Sequence, residues 1–147
     1  MTDMTLPPNG LTGSPWTEPI RAFLDAPRYA VTATLNPDGS PHQAVVWYRL
    51  DGEDIVLNSA EGRRWPANLR RDPRISFMVE DGLRYVAARG RVDVDDDQEV
   101  AQADIAEMAR RYHADDPAQA EALIAGRFAA QHRVTFRLRP EHFSADL

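Results

Sequence analysis

The sequence predicts an antiparallel α+β fold, most simply a small barrel with peripheral helices, and three observations carry that prediction. Short segments rich in β-branched and aromatic residues recur through the chain, punctuated by tight turns such as Asn36-Pro37-Asp38-Gly39, Asp51-Gly52 and Asp81-Gly82. Nothing alternates strand with helix in the βαβ manner that a parallel sheet requires. Helical periodicity is concentrated late, after about five strand-like segments have passed.

Taken in order, residues 1–14 are polar and rich in Pro, Gly and Thr, which predicts a flexible N-terminal tail before a single domain over residues 15–147. A short helix is expected over residues 16–24, where Ile20, Phe23 and Leu24 recur at helical spacing before Ala26-Pro27 ends it. Residues 29–35, 42–50 and 54–58 then read as a three-strand meander joined by tight hairpins, so its neighbours are antiparallel. Residues 74–79 and 83–94 form another hairpin, with Gly90 a candidate bend or bulge in the long second strand. Residues 98–112 carry Val100, Ile105, Met108 and Ala109 at helical spacing behind an Asp-rich start that suits the positive end of a helix dipole. A further helix over residues 117–128 and a last strand over residues 133–138 complete about six strands.

Composition narrows the chemistry. With 43% hydrophobic and 27% charged residues, the 147-residue chain is of the ordinary globular kind and can bury one real core. The absence of cysteine excludes disulfides, thiolate metal sites and cysteine nucleophiles, and since all 17 basic residues are arginine there is no Schiff-base lysine. A net charge of -6 argues against general nucleic-acid binding. No apolar run reaches the roughly 20 residues of a membrane span, and the N-terminus lacks the features of a signal peptide, so a cytoplasmic location is expected. The four histidines fall in separate elements without metal-ligand spacing, and no Walker loop, GxSxG or GxGxxG occurs. The acidic run over residues 92–99 lacks the glycine and terminal glutamate of a calcium loop and reads as helix capping.

Against that acidic background, EGRRWPANLRRDPR at residues 61–74 gathers five arginines. Trp65 precedes Pro66 and is biased to an extended conformation, whereas Pro66 suits the first turn of a helix that must stop near Asp72-Pro73. Arg63 and Arg64 therefore fall immediately before a helix N-terminus, where free N–H groups, the dipole and guanidinium forks all favour phosphate. They could equally be an ordinary exposed loop pair. Arg70 and Arg71 lie in the last turn, where cations relieve the dipole, and Leu69 is expected to face the core.

The succession ATLNPDGSPHQAVVW, DGEDIVLNS, EGRRWPANLRRDPRISFMV and YVAARGRV resembles the pyridoxamine 5′-phosphate oxidase-like split β-barrels, in particular the branch that uses the deazaflavin coenzyme F420. The resemblance implies a six-stranded antiparallel split barrel of the FMN-binding type, a homodimer, and two coenzyme sites at the subunit interface. It implies that His42, Gln43, Val45 and Trp47 wall the tricyclic ring, that Asn58 and Ser59 lie beside the ribityl chain and phosphate, and that Arg63 and Arg64 take the phosphate with Asn68 nearby. Tyr85 would reach the coenzyme from the partner subunit, and Arg133 is a further candidate. Trp65 departs from the lysine that many F420-binding relatives carry, so either Arg64 supplies that charge or the coenzyme is FMN. Trp65 would serve as a lid over the ring or as a staple packing the loop on the barrel.

The implied activity is an oxidoreductase in which reduced F420 transfers hydride to a small substrate with an activated C=C or C=N bond. The alternatives are an FMN-dependent oxidase or reductase and a non-catalytic flavin- or F420-binding protein. Tyr85 and His42 are the candidate proton donors. No metal is implied.

Overall fold

A computed structural model describes Thr2–Thr5 and residues 14–147; of residues 2–5 only the backbone pairing is described. The elements are β1 (Thr2–Thr5), α1 (Glu18–Asp25), β2 (Ala30–Leu35), β3 (Pro41–Val46), β4 (Arg49–Asp51), β5 (Asp54–Ala60), α2 (Arg64–Arg71), β6 (Arg74–Asp81), β7 (Arg84–Asp95), α3 (Gln98–Tyr112), α4 (Pro117–Leu123) with a π-helical turn at Ile124–Phe128, and β8 (Arg133–Asp146). Every ladder is antiparallel, in the order β3-β2-β6-β7-β8-β5-β4, with β1 added on β8. The sheet does not close, so the barrel is split between β3 and β4. The six expected strands are present, joined by the short β4 and by β1, which lies within the expected tail.

Two expectations need correction. Residues 42–50 are not one strand: β3 ends at Val46 and β4 begins at Arg49. Between them Trp47 leaves the ladder to stack on Tyr112, ring centroids 5.0 Å apart and 6° from parallel, and Tyr48 turns into the core to donate to Leu24 O at 2.7 Å. Nor does β8 stop at residue 138; it runs on to Asp146. Pro140 hides this extension, because proline interrupts a strand unless it sits at an edge or bulge. Here it pairs with Gly90 at the register shift between Arg89 and Gly90. A Cβ on Gly90 would lie 2.4 Å from Arg139 O, so the close crossing at this bulge requires glycine.

The side chains divide into two apolar layers. Inside the barrel, Ile55, Leu57, Phe77, Val86, Phe136 and Phe143 pack with Ile20 and Leu24 of α1. Outside it, Val56 packs with Ile105, Met108 and Ala109 of α3 and with Phe128. Because α3 covers the outer face of β5, that strand is buried on both faces and reads DIVLNSA rather than as a clean alternation. Val100, expected on the buried stripe of α3, is exposed; the stripe is Ala101, Asp104, Ile105 and Met108. Asp97 caps the helix by accepting from the N–H groups of Glu99 and Val100.

The opposite outer surface of the sheet carries an apolar row. Val45, Val31, Met78 and Ala87 are successive cross-strand partners on β3, β2, β6 and β7, so their side chains share one face. Val45 is 69% and Met78 41% exposed.

Candidate functional site

At the split a cavity of about 350 Å³ opens, lined by Val45–Trp47, Asn58, Arg63, Trp65 and Arg133, and flanked by Ile105, His113, Leu123, Arg127 and Phe128. The chain reaches it from several elements because β3 and β4 diverge there, the β5–α2 turn lies beneath, and the late helices fold across. Gly62 makes that turn with a φ of 100°, a value other residues rarely adopt.

Helix α2 begins at Arg64, not at Pro66; Arg63 is its N-cap and makes no side-chain cap, and Pro66 stands third. Arg64 and Trp65 therefore present first-turn N–H groups, which have no intrahelical acceptor, while Pro66 has none to present. Arg63 lines the cavity beside them. Arg64 does not: it points outward, with Nη1 3.5 Å from Asn36 Oδ1. Trp65 is 4% exposed and its ring lies 5.3 Å from that of Phe136, so it staples α2 into the barrel core while also contributing to the cavity wall.

The rest of the arginine segment is occupied within the chain. Arg70 is ion-paired with Glu61 and Asp96, Arg74 with Asp72 at 2.7 Å, and Arg71 donates to Leu35 O. The hydrogen bonds that Arg70 donates to Asp96 and Glu61 raise its proton affinity. Leu69 is buried in the core as expected.

Behind the cavity runs a chain of buried polar groups. Arg49 Nη2 donates to Asp104 Oδ1 at 2.6 Å, Thr135 Oγ1 donates to Asp104 Oδ2 at 2.7 Å, Asn58 Nδ2 donates to Thr135 Oγ1 at 3.2 Å, and Arg133 Nε donates to Asn58 Oδ1 at 2.9 Å. Arg133 is 5% exposed, and its other acceptor is Gln131 Oε1 at 2.6 Å. Among the described residues it has no carboxylate partner, and neither do Arg63 and Arg127, which share the cavity lining with it. Burial, with repulsion from Arg63 and Arg127, pushes the Arg133 guanidinium down to about 10, which still leaves it charged at neutral pH. With three guanidinium groups and no carboxylate, the lining suits an anion.

The sequence-derived residues are thus brought together in part. Arg63, Trp65, Asn58, Val45, Trp47 and Arg133 meet at the cavity. Ser59 is buried and donates to Ala60 O, and Asn68 is buried, donating to Thr34 Oγ1 at 3.1 Å. His42 pairs with Thr34 on β2, while Gln43 lies on the outer sheet face with Val45. Tyr85 pairs with Glu80 and Asp146 and lies outside the cavity lining of its own chain. Sequence reasoning missed Tyr29, Ile105, His113, Arg127 and Phe128. Asp104 was also missed, although a charged residue on the stripe with Ala101, Ile105 and Met108 was a signal for a buried partner.

The protein has solved structural relatives. A conserved hypothetical protein from Mycobacterium tuberculosis is 26% identical with a TM-score of 0.74, the match covering 88% of this chain and 84% of that one. A protein named F420 reductase is 28% identical with a TM-score of 0.67, covering 84% and 94%. The heme storage protein HutZ from Vibrio cholerae, 22% identical with a TM-score of 0.68 over 87% and 93%, shares the fold. The sequence profile of pyridoxamine 5′-phosphate oxidase matches residues 16–145, almost the whole chain, and with the split antiparallel sheet just described it shows that the chain belongs to the pyridoxamine 5′-phosphate oxidase family.

Proposed function

We propose that the protein is an oxidoreductase that binds F420, its phosphate held by Arg63 and the first-turn N–H groups of α2, and reduces a small substrate with an activated C=C or C=N bond. The observation that carries this reading is the cation-rich, carboxylate-free cavity at a helix N-terminus. Family membership and the likeness to an F420 reductase support the choice of coenzyme class. When bound, the coenzyme supplies the hydride.

The chain's own groups position and enclose it. Asn58 and Arg133 flank the phosphate side, and the Val45 side chain with the backbone of Val45 to Trp47 forms the coenzyme ring wall, leaving the Trp47 indole facing the substrate side. Their orientation is fixed before binding: Asn58 is hydrogen-bonded to Ala101 O and Thr135, and Trp47 is held by Tyr112. His113, edge-on to Trp47 at 5.6 Å, is the imidazole that lines the cavity, whereas the expected proton donors His42 and Tyr85 lie outside the lining of their own chain. The site is completed by a second copy docked on the apolar row from Val45 to Ala87, which bears Tyr85 and Gln43 on the same side. Val45 belongs both to that row and to the cavity lining, so the mouth of the cavity lies at the margin of the docking face.

FMN is the second reading, and Trp65 favours it: an indole packed on Phe136 stands where a lysine is expected for F420. Parallel titrations with F420 and FMN decide between them. Arg63→Ala is expected to weaken the preferred coenzyme by about 1.5 to 3 kcal/mol with an unchanged circular dichroism spectrum. Unaltered affinity in that variant would remove Arg63 from the site.

A further inference from the structure

We propose that the helical wall selects a planar, conjugated substrate bearing a carboxylate, with Arg127 reading the charge and Trp47 receiving the ring. This rests on the coenzyme reading above, in which Arg63 is committed to the phosphate and Arg127 is left over at the rim.

Arg127 lies in the π-helical turn, a geometry that widens a helix by one residue and recurs at functional sites. The turn sets Arg127, exposed, next to Phe128, which is buried against Val56 and Ile105, and both line the cavity. Among the described residues Arg127 has no hydrogen bond or ion pair, so nothing in the chain neutralises it. Arg133 stands behind, its guanidinium 4.9 Å from the Phe128 ring centre and held otherwise by neutral acceptors. With Arg63 and Arg133 on the phosphate side, Arg127 is the lining cation left without a counter-ion, placed to pair with a carboxylate.

The apolar side of the same space is built for a flat ring. Trp47 is parallel to Tyr112, and Phe128 meets it edge-on at 6.3 Å, so the indole plane is fixed before any ligand arrives. Tyr29 extends the aromatic surface by stacking on Tyr112 at 5.9 Å. A guanidinium at the rim beside a rigid aromatic wall recognises one molecule by two independent features, charge and planarity.

The test uses 2-naphthoate and 2-naphthamide, which share ring and shape and differ in charge, titrated calorimetrically into the intact protein with and without its coenzyme. In the loaded protein the naphthoate is expected to bind about tenfold tighter or better, the range for hydrogen bonds to a charged group. Arg127→Gln abolishes that preference while coenzyme affinity stays unchanged, and Trp47→Leu weakens both probes and preserves their ratio. Equal affinities in the parent protein, a preference that survives Arg127→Gln, or a loss of coenzyme binding in that variant would overturn the proposal; the last would place Arg127 on the coenzyme. Failure of the coenzyme reading shows differently, as absence of F420 and FMN binding with the naphthoate preference measured in the free protein.

Discussion

Arg49 and Arg133 stand at the two ends of one buried hydrogen-bonded chain and are partnered in opposite ways. At the Arg49 end the charge is answered within the protein, by Asp104 at 2.6 Å and by Glu107, whose Oε2 lies 3.1 Å from Arg49 Nε though off line for a hydrogen bond. At the Arg133 end the acceptors are two neutral amides, and the adjoining cations Arg63 and Arg127 add repulsion. A cation neutralised by carboxylates is part of the fold's own construction, whereas a buried one held only by neutral acceptors beside a cavity is placed to meet an anion that arrives.

The strongest way to break this comparison is Asp104→Ala. It strands Arg49 and Thr135 Oγ1 without their buried acceptor and should cost about 3 to 5 kcal/mol, read as a lowered urea midpoint with the slope retained. A loss below about 1 kcal/mol would mean that the Arg49 end is no better satisfied than a surface pair. Arg133→Met should behave differently. Relief of the buried charge offsets the lost bond to Asn58, so stability changes by no more than about 1 kcal/mol, while coenzyme affinity falls about tenfold or more. A variant that loses several kcal/mol of stability yet binds the coenzyme as tightly as the parent would reverse the assignment. The smallest effect is expected for Arg70→Ala: the side chains of its partners Glu61 and Asp96 are 33% and 52% exposed, so unfolding free energy should fall by less than about 1 kcal/mol and coenzyme affinity should not move.

Much of this architecture was legible in the residue order, where local chemistry decides structure. Residues 98–112 form the helix that their capping Asp97 and apolar spacing predict, and Gly90 marks a bulge as an isolated strand glycine suggests, the extra residue being Glu141 on the facing strand. Legibility failed where a distant partner overrides the local pattern. Trp47 leaves its strand for Tyr112, and Pro140 is tolerated in β8 because it stands at the register shift opposite Gly90. The site shows the same division. Arg63 is visible beside a helix start, and the family resemblance places Asn58 and Trp47 near it. Arg127 sits in a polar helical stretch without a motif, and its meeting with Arg63 and Arg133 exists only once the late helices fold over the split.

A phenol spans that split, beside the ties that Arg111 makes to Leu24, Asp25 and Ala26. Tyr112 Oη accepts from the Tyr48 N–H at 3.1 Å and donates to Arg28 O at 2.6 Å, joining the end of α3 to both the crossing segment and the start of the sheet. Burial pushes its ionisation upward, so the hydroxyl keeps its proton and its bond at neutral pH. The Tyr48 amide thereby becomes a built-in clock for the enclosure: each excursion of α3 away from the barrel exposes that one hydrogen to solvent deuterium, and its exchange rate counts how often the chamber opens.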